Sequence, residues 1–458
     1  MLDQIKKELN GYYDYFDATF EKFFDPIRTY VRNGIFLFLV VVDAVSQTKL
    51  YSRVLSIIIF GISFVFFTTI AILIGKKPLD APNVGLSISD FCEKHNYTLD
   101  TETAVTEDGY ILSLHRIKVK KYANLTKKPP VFFMHGLTGS SGDFICGGPG
   151  KGLAFQLADK GYDVWLGNQR GNTYSRNHIM LEADLDAAFW DFSYHEIAMY
   201  DIPTMIDHVI NKTKFSKLTY VGMSQGSLTY FIMTSEKPEY NKKIKVANLL
   251  APVFTFYNTK NYLFWLWDLG NFAIEPLMRI FNINELFNRN HFSTEVLRYI
   301  CIGPHKIANW FCIHFIGKYF MGLSTNDVDY DILPFTLTLY PSGASVKQFL
   351  HFVQGRKSGN FSQYDHYDQN QARYNNPSPP LYDISKSTAP VALYYSRGDE
   401  LINIEKLYHA LKKIPNVILK HKVPDNEFNH GDFIISTKVN DMVYYKLIDL
   451  IDEYHRKK

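Results

Sequence analysis

Residues 217–227 read KLTYVGMSQGS, an apolar run that ends in a serine between two glycines. The segment Gly222-Met223-Ser224-Gln225-Gly226 fits the pattern G-x-S-x-G, in which a strand turns sharply into a helix and exposes the serine at the carboxyl edge of a sheet. Both flanking positions must be small, because this strained turn brings them against neighbouring backbone. The apolar run predicts the strand, and SLTYFIMTSE after the serine predicts the helix.

Strand-like and helix-like stretches alternate along much of the chain around this motif. Further apolar strands are predicted in VFFMHG, YDVWLGN, VALYY and NVILKHK, with helical stretches between them. Such alternation is typical of a mostly parallel sheet covered on both faces by helices. The sequence therefore predicts an α/β fold with a mostly parallel central sheet.

A serine hydroxyl is a poor nucleophile until a base takes its proton, and that base must itself be oriented. Where a sheet carries this turn, the chain order is Ser, then Asp or Glu, then His, with the last two on loops after later strands. Asp399 follows the strand VALYY, and His430 follows the strand NVILKHK. Ser224, Asp399 and His430 are therefore the predicted triad. Glu400, one step past the turn, and His421, within a strand, are the alternatives.

Acyl transfer also needs hydrogen-bond donors at the position where the oxyanion develops. One predicted donor is the backbone N–H of Gln225, directly after the serine, and the other is that of Leu137, in the loop after VFFMHG. His135 precedes the serine in the chain, so we interpret it as a structural residue. This chemistry requires no metal and no organic cofactor.

A 22-residue stretch without charge, VLSIIIFGISFVFFTTIAILIG, occupies residues 54–75. As a helix it would extend roughly 33 Å, enough to cross a hydrocarbon core of about 30 Å. It lies too far from the N-terminus, and is too long, to be a simple cleaved signal peptide. The sequence therefore predicts a transmembrane helix and a membrane location. Basic residues flank both of its ends, so the charge distribution leaves its orientation open.

The remaining predicted boundaries follow from this segment and from the strands. Residues 1–53 form an N-terminal region in which residues 34–42 are a shorter apolar run, and residues 76–90 are a linker. The catalytic core is expected to have two parts, residues 91–253 and 377–458. The formal net charge is +3, from 49 Lys and Arg against 46 Asp and Glu, with no basic stripe of the kind that nucleic-acid binding needs.

The cysteines and the glycosylation sequons bear on the compartment. The four cysteines form no CxxC pair, so no zinc or redox motif is predicted, and any disulfide would join Cys301 to Cys312, which are close in sequence. Four N-x-[ST] triplets would be glycosylation sites if the domain faces a lumen, and they begin at Asn96, Asn124, Asn211 and Asn360.

A series of ordered motifs resembles the acid lipases, an α/β-hydrolase family that includes gastric lipase, lysosomal acid lipase and the membrane-anchored steryl ester hydrolases of fungi. The resemblance runs from about residue 84 to the C-terminus. The motifs that carry it are VTEDGYIL (105–112), HGLTGS (135–140), GYDVWLGNQRGNTYSRNH (161–178), FWDFSYHEIAMYDIP (189–203), YPSGASVKQFLHF (340–352), SGNFSQYD (358–365), PPLYDISK (379–386) and NHGDF (429–433).

This resemblance implies the triad of Ser224, Asp399 and His430 and the oxyanion donors Leu137 and Gln225. These are the same residues that chain order and their positions after strands predict. It also implies an inserted helical cap and lid over residues 254–376, in which the aromatic stretch Tyr262–Phe272 would line the lid or the acyl site, or pack in the core. Gln169 stands where the family usually has a small or hydroxyl residue, a change expected to affect a supporting loop and not the triad. The Cys301–Cys312 spacing differs slightly from that of the family's cap disulfide, and the internal membrane segment points towards the anchored steryl ester hydrolases.

Taken together, these patterns predict a membrane-anchored hydrolase of lipid esters, either steryl esters or triacylglycerols, that works at a membrane or lipid-droplet surface. An acyltransferase that uses the same acyl-enzyme is the nearest alternative. A non-catalytic lipid-binding protein on this fold is the alternative from another class.

Overall fold

A central sheet organises the part of the chain that the structure describes. The structure is a computed structural model, and it describes residues 83–122, 128–257, 259, 282–289, 301, 312–324 and 326–456. The strands of the described residues are β1 Tyr97–Val105, β2 Tyr110–Val119, β3 Pro130–Met134, β4 Asp163–Gly167, β5 Asn177–His178, β6 Leu218–Met223, β7 Ile244–Leu250, β8 Glu285–Leu286, β9 Ala344–Ser345, β10 Val391–Tyr395 and β11 Val417–Lys422.

The main sheet has the strand order β1-β2-β4-β3-β6-β7-β10-β11, and β5 pairs with β2. The pairs from β4 to β11 along this order are parallel, as the alternating sequence pattern predicts. The pairs that β2 makes with β1, β4 and β5 are antiparallel, a feature that the sequence analysis did not foresee. The central strands β3, β4, β6 and β10 are buried at every residue, which explains their continuous apolar runs.

Helices connect most of the parallel strands. The α-helices of the described residues are α1 Ile88–Lys94, α2 Leu153–Asp159, α3 Tyr194–Glu196, α4 Ile202–Thr213, α5 Gln225–Glu236, α6 Leu333–Leu339, α7 Val346–Ser358, α8 Asn370–Tyr374, α9 Ile404–Lys413, α10 Asp432–Ile435 and α11 Tyr445–Arg456. π-Helical segments in the described part of the chain cover Ile197–Asp201, Cys312–Met321 and Asn440–Tyr444. Helix α1 begins at Ile88, inside the stretch predicted as linker, and Ser87 caps it with a reciprocal hydrogen bond to Asp90.

Close packing of a helix on the sheet is visible at Gly167, the last residue of β4. A Cβ atom there would lie 2.8 Å from Phe132 of β3 and 3.0 Å from the sulfur of Met205 on α4. Met205 belongs to an apolar stripe of α4 that also buries Ile206 and Val209. The absence of a side chain at Gly167 therefore lets α4 approach the sheet.

The register of the parallel strands brings their carboxyl ends to one edge. Met134 of β3 pairs with Gly222 of β6, and Met223 of β6 pairs with Leu250 of β7. Leu250 in turn pairs with Tyr394 of β10. The loops that follow these strands therefore emerge side by side, at the edge where open α/β sheets bind their ligands.

The predictions outside the sheet have different outcomes. Cys301 and Cys312 are joined in a disulfide, the pairing that their proximity favours, and Cys92 and Cys146 are free and buried. The predicted transmembrane segment 54–75, the apolar run 34–42 and the aromatic stretch 262–272 all lie outside the described residues. Within the described ranges, none of the helices has the length and apolarity needed to cross a bilayer.

Candidate active site

The turn between β6 and α5 has the strained geometry that its sequence predicts. Ser224 lies at φ 53° and ψ −113°, a conformation that costs free energy for a non-glycine residue, and its N–H donates to the carbonyl of Leu250 at 2.9 Å. A Cβ atom at Gly226 would lie 2.2 Å from the carbonyl oxygen of Met134, and one at Gly222 would lie 2.7 Å from that of Gly226. Backbone packing therefore excludes a side chain at both glycines.

The three residues of the predicted triad meet in one hydrogen-bonded line. Ser224 Oγ lies 2.8 Å from His430 Nε2, and His430 Nδ1 lies 2.8 Å from Asp399 Oδ2. The other carboxylate oxygen of Asp399 accepts the N–H of Leu401 at 2.9 Å. Asp399 is 3% exposed and His430 is 7% exposed, so bulk water barely reaches these contacts. In this arrangement Nδ1–H donates to the carboxylate, which leaves Nε2 to accept from the serine hydroxyl.

The two alternative residues have other surroundings. Glu400 donates its backbone N–H to the Asn429 side chain at 3.1 Å, next to the triad, but the hydrogen bond of His430 Nδ1 goes to Asp399. His421 lies within β11, as predicted, and its Nε2 is 2.6 Å from the carbonyl oxygen of Met442.

The loop after β3 runs directly beside the serine. A Cβ atom at Gly136 would lie 3.2 Å from the Cβ of Ser224 and 3.7 Å from its hydroxyl oxygen. Leu137 is the next residue, and Gln225 is the first residue of α5, where a backbone N–H has no acceptor inside its own helix. Gln225 therefore directly follows Ser224, Leu137 follows a residue that packs against it, and the role of both as oxyanion donors stays a prediction.

His135 forms hydrogen bonds with the loops beside the site, and neither of the two described next goes to Ser224. Its Nδ1–H donates to the Gly136 carbonyl at 2.8 Å, and its Nε2 accepts the backbone N–H of Gln169 at 3.2 Å. Complete burial lowers the pKa of this imidazole to about 4, which keeps the ring neutral. These contacts agree with the interpretation of His135 as structural.

Comparisons with known proteins identify the family. Residues 88–148 match a family model described as the partial alpha/beta-hydrolase lipase region, and residues 129–276 match the alpha/beta hydrolase fold. Lipase 1 of Drosophila melanogaster is 38% identical over 373 residues, which cover 80% of this chain and 80% of that protein. Human gastric triacylglycerol lipase is 34% identical over 386 residues, which cover 83% of this chain and 94% of that protein.

The chain belongs to the acid lipase family of α/β-hydrolases. As a member of this family it is a carboxylic ester hydrolase.

Two residues beside His430 position its loop in this lipase, and the sequence analysis assigned no role to either. Asp432 accepts the N–H of Asn429 at 2.7 Å and that of Ser324 at 3.1 Å. Asn429 accepts the N–H of His430 at 2.7 Å and that of Glu400 at 3.1 Å. Both residues belong to the quoted motif NHGDF, so the motif was the available signal. Burial raises the pKa of the Asp432 carboxyl to about 6.

A second group of residues that sequence reasoning missed surrounds Gln225. Its side-chain Nε2 donates to Gln169 Oε1 and to Gln348 Oε1, each at 2.8 Å. Gln169 does lie in a supporting loop, as expected, but its side chain reaches the residue next to the nucleophile. Gln348 belongs to the quoted motif YPSGASVKQFLHF, but nothing in that motif points to Gln225, which lies 123 residues earlier in the chain.

Proposed function

We propose that this lipase hydrolyses lipid esters through a triad of Ser224, His430 and Asp399. The observation that carries the proposal is the continuous line of two 2.8 Å hydrogen bonds from the serine hydroxyl through the imidazole to a buried carboxylate. A nucleophile, a base and an orienting group within hydrogen-bond reach of one another are the arrangement that acyl transfer through a serine requires.

In the acylation step, Ser224 Oγ attacks the ester carbonyl carbon while His430 Nε2 takes the hydroxyl proton. The tetrahedral intermediate expels the alcohol, which leaves with that proton, and the acyl group stays on the serine. Water then attacks the acyl-enzyme by the same route, losing its proton to His430, and the fatty acid departs as Ser224 regains a proton. Asp399 holds the imidazole in the required tautomer and stabilises its charged form.

The backbone N–H groups of Leu137 and Gln225 would stabilise the oxyanion formed in both steps. The close approach of Gly136 to Ser224 and the position of Gln225 at the start of α5 support this assignment. Loss of one such donor costs about 3 kcal/mol, on the order of a hundredfold in rate.

We assign the substrate as a long-chain lipid ester, either a steryl ester or a triacylglycerol. The similarity to a protein named gastric triacylglycerol lipase supports the second class. The resemblance to membrane-anchored steryl ester hydrolases supports the first, because residues 54–75 give this chain an apolar segment ahead of the catalytic domain.

The proposed layout has an anchor, a linker and a core interrupted by a cap. The anchor is 54–75, the linker 76–90, the core 91–253 with 377–458, and the cap and lid 254–376. Contacts at the carboxyl edge support a cap over the site. Gly322 and Tyr340 of the insertion bond to loops beside the triad, and Gln348 bonds to Gln225 at the start of α5. If the domain faces a lumen, Asn96, Asn211 and Asn360 are exposed at the surface for glycosylation.

The test is hydrolysis of cholesteryl oleate and triolein in detergent micelles by the full chain, at acidic and at neutral pH. Wild type should cleave at least one lipid and react with a fluorophosphonate probe, whereas Ser224→Ala should do neither. Ser235→Ala, on the helix that follows Ser224 but with its hydroxyl bonded to the Phe231 carbonyl, is the matched control and should keep both activities. Equal hydrolysis by wild type and Ser224→Ala would contradict the proposal. Acyl esters formed with an added alcohol would identify an acyltransferase.

The membrane anchor is tested separately, by alkaline carbonate extraction of membranes that contain the full chain. Wild type should stay in the membrane pellet. Replacing Phe64 and Phe67 together by Arg should release the chain, because each charge at the centre of a spanning segment costs about 3 kcal/mol. Extraction of the wild-type chain into the supernatant would contradict the anchor.

A further inference from the structure

Three buried glutamine side chains from separate elements meet beside the nucleophile. Gln225 is the first residue of α5, Gln169 lies in the loop after β4, and Gln348 lies on α7 within the predicted cap insertion. Gln225 Nε2 donates to the side-chain oxygens of the other two at 2.8 Å each. The three side chains are at most 1% exposed, so water does not compete for these hydrogen bonds.

The cluster leaves polar atoms without partners. Gln169 Nε2, Gln225 Oε1 and Gln348 Nε2 have no hydrogen-bond partner among the described residues. Exchanging oxygen and nitrogen in all three amides keeps both hydrogen bonds between them. A buried amide atom without a partner is costly, and apolar side chains of similar size would fill the same space without that cost. Stability alone therefore does not account for the three glutamines.

The first acceptor of Gln225, Gln169, lies on a stretch of backbone that hydrogen bonds hold in place. The N–H of Gln169 donates to His135 Nε2 at 3.2 Å. The next residue, Arg170, donates its own N–H to the buried carboxylate of Asp201 at 2.8 Å. The carboxamide of Gln225 is thus fixed on one side by a rigid loop of the core.

The acceptor in the insertion is fixed as well. The N–H of Gln348 donates to the Ser345 hydroxyl oxygen at 3.2 Å, and that hydroxyl donates to the Phe192 carbonyl at 2.6 Å. The first turn of α7 is therefore attached to the core. Gln225 is held between this turn and the loop that carries Gln169.

We propose that Gln169 and Gln348 are positioning residues, which hold the Gln225 carboxamide and thereby the orientation of the first backbone N–H of α5. This inference rests on the proposed function, in which that N–H stabilises the oxyanion. Donors of this kind act only when they are aimed at the transition-state oxygen, and a misplacement of about 1 Å can cost on the order of a hundredfold in rate. The two glutamines therefore influence the chemical step without touching the substrate.

The experiment compares two glutamines of the same helix in the full chain in detergent. Gln348→Leu removes one acceptor of Gln225. Gln354→Leu, the matched control, removes an amide that donates to the Asp365 carbonyl and accepts the Asp365 N–H, each at 2.8 Å, within the insertion. The readouts are kcat and KM on p-nitrophenyl butyrate, inhibition by butylboronic acid, and the melting temperature. The boronic acid is informative because its tetrahedral adduct with Ser224 presents an oxygen to the oxyanion donors.

Gln348→Leu should lower kcat about 10- to 100-fold with KM nearly unchanged, and should weaken boronic acid inhibition by a similar factor. Gln354→Leu should keep both values near wild type. Gln348→Glu, which retains an acceptor oxygen, should recover most of the lost kcat at acidic pH, where its carboxyl is neutral. If Gln348→Leu fails to fold, Gln169→Leu removes the other acceptor and should likewise lower kcat with KM nearly unchanged.

Two results would overturn the inference. One is wild-type kcat and boronic acid inhibition in the folded Leu variants. The other is an equal loss of kcat in Gln348→Leu and Gln354→Leu that follows the melting temperature. In either case fluorophosphonate labelling of Ser224 would persist if the proposed function holds, whereas failure of the proposed function itself would abolish labelling of the wild type.

Discussion

The turn that carries Ser224 and the loop that carries His430 meet at one site but are built in different ways. Around Ser224 the constraints are steric and come from backbone, since Gly222 and Gly226 pack against backbone within 3 Å of where a Cβ would be. Around His430 the constraints are polar and distant in sequence, because Asp399 and Ser324 reach this loop from elsewhere in the chain.

This difference predicts two kinds of failure. A change at the serine turn must displace strand and helix backbone, so it should lower stability and activity together. A change in the polar contacts of the histidine loop can leave the fold intact, so it should lower activity far more than stability. Asp399→Asn, Gly226→Ala and Gly322→Ala test this separation, in order of decreasing expected effect, and Asp432→Asn then tests the pH dependence of the histidine loop.

The largest effect is expected for Asp399→Asn. An amide cannot enforce the tautomer in which Nδ1 carries the proton, so kcat should fall about 10⁴-fold. The denaturant midpoint should change little, because Asn keeps the shape of the side chain and an acceptor for the Leu401 N–H. Steady-state kinetics and urea unfolding of the same preparation provide the two measurements.

Glu400→Gln is the control for this prediction, since Glu400 is the neighbouring carboxyl and the alternative member of the triad. It should retain nearly wild-type kcat, because the N–H that Glu400 donates to Asn429 is a backbone group that the substitution preserves, and Gln keeps the length and shape of the side chain. A large loss of kcat in Glu400→Gln, with little loss in Asp399→Asn, would reverse the assignment.

The second prediction concerns Gly226→Ala at the serine turn. The added methyl would lie 2.2 Å from the Met134 carbonyl oxygen, so β3 or α5 must shift. Unfolding free energy should fall by more than about 3 kcal/mol, with loss of hydrolysis in parallel. Gly355→Ala, at a helical glycine whose nearest neighbour would be 3.5 Å away, is the control and should raise stability by up to about 1 kcal/mol. Unchanged stability of Gly226→Ala would disprove the steric account.

The third prediction uses Gly322, where the insertion touches the histidine loop. Gly322 has φ +62°, its carbonyl accepts the Gly431 N–H at 2.8 Å, and a Cβ there would lie 2.9 Å from the Cβ of His430. Gly322→Ala should therefore displace the imidazole and lower kcat about 100-fold, with KM little changed.

Gly359→Ala separates this displacement from backbone strain. Gly359 follows helix α7 and has a similar φ of +68°, but the atoms nearest to a Cβ there belong to Tyr257, at 3.0 Å, and Lys406, at 3.3 Å. Both variants should lose about 1 kcal/mol of stability from the left-handed backbone. Only Gly322→Ala should lose kcat, and equal kinetics in the two variants would refute the contact with His430 as the cause.

The same contrast explains how much could be predicted from the sequence. The parallel sheet and the serine turn were predictable, because buried strands leave continuous apolar runs and the turn needs two glycines at fixed spacing. Asp399 and His430 were predictable from chain order and from their positions after strands. The antiparallel hairpin β1–β2 was missed, since its half-exposed strands give no continuous apolar run.

The supporting contacts could not be derived from local patterns. Gln348 pairs with Gln225 across 123 residues, and Ser324 pairs with Asp432 across 108 residues. Each of these polar residues would be equally compatible with a solvent-exposed position when considered alone. Their partners are decided by how the insertion packs on the core, which is a property of the tertiary structure.

The smallest predicted effect concerns pH. It acts on the histidine loop alone, because that loop contains the buried carboxyl of Asp432 whereas Gly222–Gly226 contains no titratable side chain. Burial raises the pKa of Asp432 from an ordinary value of 3.8 to about 6. The Asp432 carboxyl therefore binds a proton more tightly in the folded protein than in the unfolded protein. The contribution of this bound proton to the free energy of unfolding is fully present below pH 4 and is lost as the pH rises through 6.

Asp432→Asn cannot titrate, so its stability relative to wild type should increase between pH 4 and pH 7. The pKa rise corresponds to about 3 kcal/mol, and replacing an acceptor oxygen by an amide nitrogen removes about 1 kcal/mol at every pH. Urea unfolding of both proteins should therefore show that the Asp432→Asn variant is about 1 kcal/mol less stable than wild type at pH 4 and about 2 kcal/mol more stable at pH 7. Taking the difference between the two proteins cancels the titration of the buried histidines, which wild type and variant share. A stability difference that stays constant with pH would show that the N–H groups of Asn429 and Ser324 keep the carboxylate ionised despite its burial.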